Sequence, residues 1–179
     1  MQIANLELEL TQGDIAAQND VEAVVNAANA ELKIGGGVAG ALHSKAGPEL
    51  EKACRPLAPI SPGEAVLTKA FKLPNQYVIH TLGPVYGRDK PEAELLEKCY
   101  QNSLKLAEKN NIKSIAFPAI STGAFGYPIK KAAKISLQTV KEILAELENI
   151  EIIRFVLYSQ RDLKVYQNEA AEIFENHLD

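Results

Sequence analysis

From Ser114 to the C-terminus, short apolar runs alternate with stretches of helical periodicity. Ser114-Ile115-Ala116-Phe117 stops at Pro118. Pro128 then opens a segment in which Ile129, Ala132, Ala133, Leu137, Val140, Ile143 and Leu144 recur at helical spacing. Ile150 to Tyr158 is almost continuously apolar, as expected of a central strand covered on both faces. A last helix is predicted from about Asp162, with Val165, Tyr166, Ala170, Ile173 and Phe174 turned inward. Strand followed by helix followed by strand implies parallel strands joined by crossover helices. The fold class expected is therefore α/β, a three-layer α/β/α sandwich.

The first half fits the same frame. Leu6, Leu8 and Leu10 alternate with Glu7, Glu9 and Thr11, a strand with one wet face. Ala23-Val24-Val25, Ala65-Val66-Leu67 and Tyr77-Val78-Ile79 read as strands. Val38 to Ala46 is small and apolar enough for a helix packed closely on a sheet; Gly47-Pro48 interrupts it and Glu49 to Cys54 resumes. Asp89, Pro91 and Glu92 supply helix-start chemistry, and the helix after them puts Leu95, Leu96, Cys99, Leu104 and Leu106 on one side. Pro56, Pro59 and Pro62 make Arg55 to Pro62 a surface connection rather than a boundary. Residues 1–179 are read as a single domain.

Composition removes several function classes. The chain is 46% hydrophobic and 23% charged, an ordinary globular balance, with a formal net charge of −4. Duplex nucleic acid is not an expected partner, because that binding rests on many Lys and Arg contacts to phosphates. A ligand with one or two phosphates is allowed, since a few backbone N–H groups hold it. Cys54 and Cys99 are too few for a disulfide framework and show no zinc spacing; both are read as packing residues. The start shows no basic and apolar leader, and no apolar run reaches the roughly 20 residues a membrane helix needs. The expectation is a cytoplasmic monomer with no membrane contact and no metal.

In an open α/β sheet, ligands bind beyond the carboxyl ends of the strands, and the unusual residues of this chain fall there. Val24-Val25-Asn26-Ala27-Ala28-Asn29 runs into Gly35-Gly36-Gly37-Val38-Ala39-Gly40 at a helix start. Glycines there let backbone N–H groups face an anion, and the helix dipole favours phosphate. The alternative is a tight structural turn. The pattern is neither a Walker A loop nor GxGxxG. A second loop, Ser121-Thr122-Gly123-Ala124-Phe125-Gly126-Tyr127-Pro128, again follows a strand and precedes a helix. Two such loops grip two phosphates from opposite sides, which points to a diphosphate; two plain turns are the alternative.

Gly13-Asp14-Ile15 follows the first strand, and Asp14 either caps a helix or accepts a hydrogen bond from a ligand amine. Tyr158 either stacks on a base at the rim or packs in the core. His80, in an apparent strand, reads as a satisfied structural histidine, His43 as a surface residue, and His177 lies near the terminus. No nucleophile–base arrangement emerges, and neither glycine loop carries a carboxylate where a general base would stand.

Together these segments resemble the macro domain family over nearly the whole chain. The match includes Gly63-Glu64-Ala65, Tyr77-Val78-Ile79-His80-Thr81-Leu82-Gly83-Pro84 and Ser114-Ile115-Ala116-Phe117-Pro118-Ala119-Ile120-Ser121-Thr122-Gly123. The resemblance implies a mixed, mostly parallel central sheet sandwiched between helices, and ADP-ribose as ligand, with no cofactor. It implies Asp14 on the adenine amine with Ile15 beside it, and Tyr158 on the adenine. Asn29 would hold the distal ribose, and Gly35, Gly36, Gly37 and Val38 would line that ribose and the nearer phosphate. Ser121, Thr122, Gly123, Ala124 and Phe125 would wrap the diphosphate, and Asn26 is carried over as a further ligand position. The catalytic positions carried over are Asn29 and Gly37. Ala39 departs from one hydrolase subgroup, which has Asp in Gly-Val-Asp-Gly; the Gly-Gly-Gly-Val-Ala-Gly-Ala-Leu form is closer to viral macro domains, an archaeal ADP-ribose binder and modules of poly-ADP-ribose polymerases. Three functions follow from the resemblance: hydrolysis of ADP-ribosyl esters on protein Asp/Glu or in O-acetyl-ADP-ribose, reading of ADP-ribosylated proteins without turnover, and removal of phosphate from ADP-ribose 1″-phosphate.

Overall fold

A computed structural model describes residues 1–175. Seven strands form one sheet in the order β1-β2-β7-β6-β3-β5-β4. They are β1 (Gln2–Ile3), β2 (Leu6–Gln12), β3 (Ala23–Ala27), β4 (Ala65–Lys69), β5 (Tyr77–Thr81), β6 (Ser114–Phe117) and β7 (Ile152–Leu157). The five inner strands, β2, β7, β6, β3 and β5, run parallel. The edges β1 and β4 are antiparallel to their neighbours. This is the mixed, mostly parallel sheet expected. The two-residue β1 lies in a stretch whose sequence carries no strand pattern.

The period-2 geometry of a strand splits each apolar run between two cores. Val24, Val78 and Ala116 face one core, which Leu42 and Ala46 of α1 (Gly37–Ala46) and Leu50 and Cys54 of α2 (Pro48–Cys54) complete. Val25, Ile79 and Ile115 face the other. That second core is covered by α3 (Glu92–Lys109), α4 (Ile129–Ile143) and α5 (Gln160–Ala170). Its centre is an aromatic cluster of Tyr100, Phe117, Phe155 and Tyr166, all fully buried, with ring centroids 5.2–5.9 Å apart. Two helical layers on one sheet give the three-layer sandwich.

Several local expectations need correction. The strand predicted over Ile150 to Tyr158 is shorter, and β6 rather than β7 is the middle strand. β7 also carries Arg154, which bonds Glu9, Gln18 and Asp20. Those partners are what let a guanidinium sit in an inner strand. Asp89 does not start α3; its Oδ2 accepts from the Val85 N–H at 2.8 Å and Pro91 is the cap. His43 is buried rather than on the surface, because its face of α1 packs toward His80, 6.4 Å away between ring centroids. His177 lies outside the described residues. Ser159 caps α5 by accepting from the Asp162 N–H at 3.1 Å. Among the described residues no helix is long and apolar enough to cross a membrane.

Candidate functional site

The first glycine loop leaves β3 and returns as α1. Leu32, fully buried with a left-handed φ of 53°, pins its middle. Asn29 clamps its start: Oδ1 accepts from the Lys33 N–H at 3.0 Å, and Nδ2 donates to the Lys33 carbonyl at 2.8 Å. Gly36 is the N-cap of α1 with no side-chain bond of its own. Among the described residues, no protein backbone carbonyl accepts from the N–H groups of Gly35, Gly36, Gly37 or Val38. Helix-start amides left in this way form an anion site.

The second loop leaves β6 and returns as α4. Ser121 sits at φ 67°, a conformation that costs a non-glycine residue energy and tends to occur where a ligand or catalytic geometry demands it. The loop is tied down by Tyr127 N–H to the Ser121 carbonyl (2.9 Å), Gly126 N–H to the Gly123 carbonyl (3.0 Å) and Tyr86 N–H to the Phe125 carbonyl (2.9 Å). The amides of Gly123, Ala124 and Phe125 again find no backbone acceptor among the described residues. Gly83 makes the loop's position possible, because a Cβ there would collide with Ser121 Oγ and Ile120 Cγ2.

The two loops face each other across a cleft with two adjoining lobes. One lobe, about 320 Å³, is lined by Asn29, Gly35, Gly36, Ser121, Ala124 and Phe125. The other, about 790 Å³, is lined by Asp14, Ile15, Thr122, Val156, Tyr158 and Asp162. They meet at Gly37, Val38, Ala119 and Gly123. The smaller lobe has no charged side chain in its lining. What it offers is backbone N–H groups, small side chains, Phe125 and the Asn29 amide. Asn29 keeps a second N–H and a second lone pair free of Lys33.

Asp14 resolves both ways. Its Oδ1 accepts from the Ala16 N–H at 2.9 Å, capping a short 3-10 turn, and Oδ2 pairs with Lys45 Nζ at 3.1 Å. The Ala16 N–H, more than Lys45, holds its carboxyl below the usual carboxylate range, so it remains an ionised acceptor facing the larger lobe. Tyr158 is a rim residue and not a core one, with 92% of its surface exposed.

Asn26 is not at the cleft. Its side chain is fully buried on β3 in register with His80 of β5, and its Nδ2 lies 3.1 Å from His80 Nδ1. His80 Nε2 in turn meets Thr68 Oγ1 at 2.9 Å. Burial, with His43 adding to it, pushes the His80 pKa down to about 3, so it is a neutral core residue. Period 2 accounts for the misplacement: residues adjacent along a strand point to opposite faces, and the cleft lies beyond the strand's end. Burial pushes both thiols up to about 11, which suits the packing role expected of Cys54 and Cys99. The sequence reading missed Gly83, Ala27, Ala28, Ala119 and Ile120 in the smaller lobe and Gln12, Val156 and Asp162 in the larger one. Only Gly83, beside Pro84 just past a strand, carries a local signal. Among the described residues no group of three or more His, Cys, Asp or Glu is placed to hold a metal ion.

A family model described as "Macro domain" matches residues 25–136. The chain is 50% identical over 168 residues to the macro domain-containing protein CT2219 of Chlorobaculum tepidum, covering 93% of this chain and 97% of that one. It is 48% identical over 164 residues to the O-acetyl-ADP-ribose deacetylase of Salmonella typhimurium, covering 89% of this chain and 91% of the relative. A mutant of the Oceanobacillus iheyensis macrodomain, solved with ADPR, superposes with a TM-score of 0.93 at 40% identity, covering 98% of this chain and 97% of that one.

Proposed function

Because the chain belongs to the macro domain family, we propose that it is one macro domain that binds ADP-ribose in the two-lobed cleft and hydrolyses ADP-ribosyl esters. The observation that carries this is the pair of facing loops whose unbonded amides converge on a space free of charged side chains. A pyrophosphate fits between them, with adenine toward Asp14 and Tyr158 and the distal ribose toward Asn29 and Phe125. The relatives named O-acetyl-ADP-ribose deacetylase support an ester as substrate. The thiols of Cys54 and Cys99, both free, suit the reducing cytoplasm.

The chemistry follows from what the smaller lobe lacks. No carboxylate or histidine lines it. A water held between a phosphate oxygen of the ligand and the ester adds its oxygen to the anomeric carbon or to the acyl carbon. The carboxylate leaves from the former, and the ribose hydroxyl leaves from the latter. The substrate phosphate accepts the water's proton as the new C–O bond forms and, after acyl attack, returns it to the leaving ribose oxygen, while Asn29 and the Gly37 region hold the ribose. The acceleration comes from positioning and preorganised amides. It forgoes the roughly 100- to 10,000-fold that a tuned acid–base pair supplies.

Turnover of O-acetyl-ADP-ribose and of a protein mono-ADP-ribosylated on Asp/Glu tests the reading. Wild type releases product over many turnovers, and Asn29→Ala loses rate by a larger factor than it loses ADP-ribose affinity. The second reading, a binding module without turnover, is favoured by Ala39, which is buried where one hydrolase subgroup has Asp. It gains if wild type binds ADP-ribose but releases nothing at stoichiometric excess. Release of inorganic phosphate from ADP-ribose 1″-phosphate would instead mark a phosphatase.

A further inference from the structure

Beside the cleft lies a second groove of about 450 Å³, between the segment after β5 and the first turns of α3 and α4. Tyr86, Tyr127 and Pro91 form its apolar wall, and Lys90, Lys131 and Lys134 stand around it with Glu92 as the one acid. Three lysines against one glutamate leave a local charge of +2 on a chain of net −4. Lys90 pairs with Glu92 at 3.1 Å. Lys131 Nζ donates to the Tyr86 hydroxyl at 2.9 Å, and Tyr86 packs edge-on to Tyr127 at 4.9 Å. Among the described residues Lys134 has no ion-pair partner, and Lys131 pairs with no carboxylate. The starts of α3 and α4 add their positive dipole ends.

The groove is tied to the second glycine loop by a backbone hydrogen bond. Tyr86 N–H donates to the Phe125 carbonyl at 2.9 Å, so the groove's aromatic wall is bonded to the back of the second glycine loop. Groove and cleft open at the carboxyl edge of the sheet.

We propose that this groove docks the acceptor polypeptide, with its lysines engaging acidic residues that flank the modified side chain. The substrate class is then ADP-ribosylated Asp or Glu within acidic segments. The inference rests on the cleft being an ADP-ribose site. A nucleic-acid occupant fits less well: three lysines neutralise few phosphates, and the rest of the chain is acidic.

The test uses two synthetic peptides mono-ADP-ribosylated on one Glu, with Asp/Glu or with Ser/Gln flanks, against wild type, Lys134→Glu and the Lys131→Glu/Lys134→Glu double variant. Free ADP-ribose affinity and thermal melting are measured for each protein. The double variant should bind the acidic peptide about five- to tenfold more weakly, the scale of two exposed ion pairs. Lys134→Glu alone should show part of that loss. The neutral peptide and free ADP-ribose should be unaffected, and 0.5 M salt should erase the difference, since that strength screens exposed charges. Equal losses for both peptides, no loss for either, or stronger competition by a short DNA oligonucleotide than by the unmodified acidic peptide would overturn the proposal. Failure of wild type to bind free ADP-ribose would count against the cleft reading instead.

Discussion

Gly40→Ala is the substitution that probes the first glycine loop without entering the cleft. A Cβ built on Gly40, in α1, lies 2.5 Å from the Gly35 carbonyl oxygen and 3.5 Å from its carbon. Real Cβ atoms essentially never come closer than 3.0 Å, so one backbone must yield by at least about 0.5 Å. Neither side is a flexible side chain: α1 is held by its packing through Leu42 and Ala46, and Gly35 belongs to the anion loop. Leu42 and Ala46 are fully buried, so the loop is the softer partner. Moving the Gly35 carbonyl turns the peptide plane that carries the Gly36 N–H. A half-ångström error there removes most of one hydrogen bond to a charged ligand, about 1.5–3 kcal/mol. That is roughly a 10- to 150-fold rise in Kd. Stability should change less: overpacking costs about 1–3 kcal/mol, and alanine in a helix interior returns about 1 kcal/mol relative to glycine. Calorimetric titration of ADP-ribose, paired with a thermal melt, reads both. A Kd within twofold of wild type would show that the loop amides are not what holds the ligand.

Other outcomes follow from single observations. Asp14→Ala should weaken ADP-ribose binding by about 1.5–3 kcal/mol, the value of a hydrogen bond to a charged acceptor; unchanged affinity in the same titration would remove Asp14 from the adenine site. His80 is neutral when folded, with its pKa near 3, whereas the unfolded chain takes up that proton at the ordinary value of 6.5. Stability should therefore fall as pH drops below 6.5, by about 1.4 kcal/mol per pH unit, and a urea midpoint identical at pH 7 and pH 5 would contradict the buried network. Phe155→Ala opens a hole beside Phe117, Tyr100 and Tyr166 and should cost about 3–5 kcal/mol with ligand affinity of the folded fraction unchanged; a loss under 1 kcal/mol in denaturant titration would show that the aromatic cluster is not the centre of its core.

What the sequence disclosed and what it hid divide along physical lines. The α/β alternation and the paired glycine loops were legible because apolar periodicity and the glycine requirement are local properties. The side-chain-poor lining of the smaller lobe follows from them. Asn26 and Asn29 look alike in the string, yet one ends up bonded to His80 and the other against Gly35 at the cleft. What separates them is where β3 ends: Asn26 lies inside the strand opposite His80, and Asn29 lies two residues past it. His43 was misread for a related reason, since its burial depends on which face of α1 meets the sheet. Val156, Ala119 and Gln12 line the cleft through tertiary placement and have no signature of their own. Asp14 needed the structure to show that capping and facing the ligand lobe are compatible.

The central claim is that main-chain amides of two facing loops hold a pyrophosphate. Gly36 tests it most directly, because a Cβ there meets nothing within 4 Å and its φ of −85° is ordinary for any residue. Calorimetric titration of ADP-ribose into wild type and Gly36→Glu should give saturable binding of one ligand per chain for the first. The second should give no detectable heat while melting within a few degrees of wild type. Retained binding in Gly36→Glu, or an unfolded variant, would contradict the account.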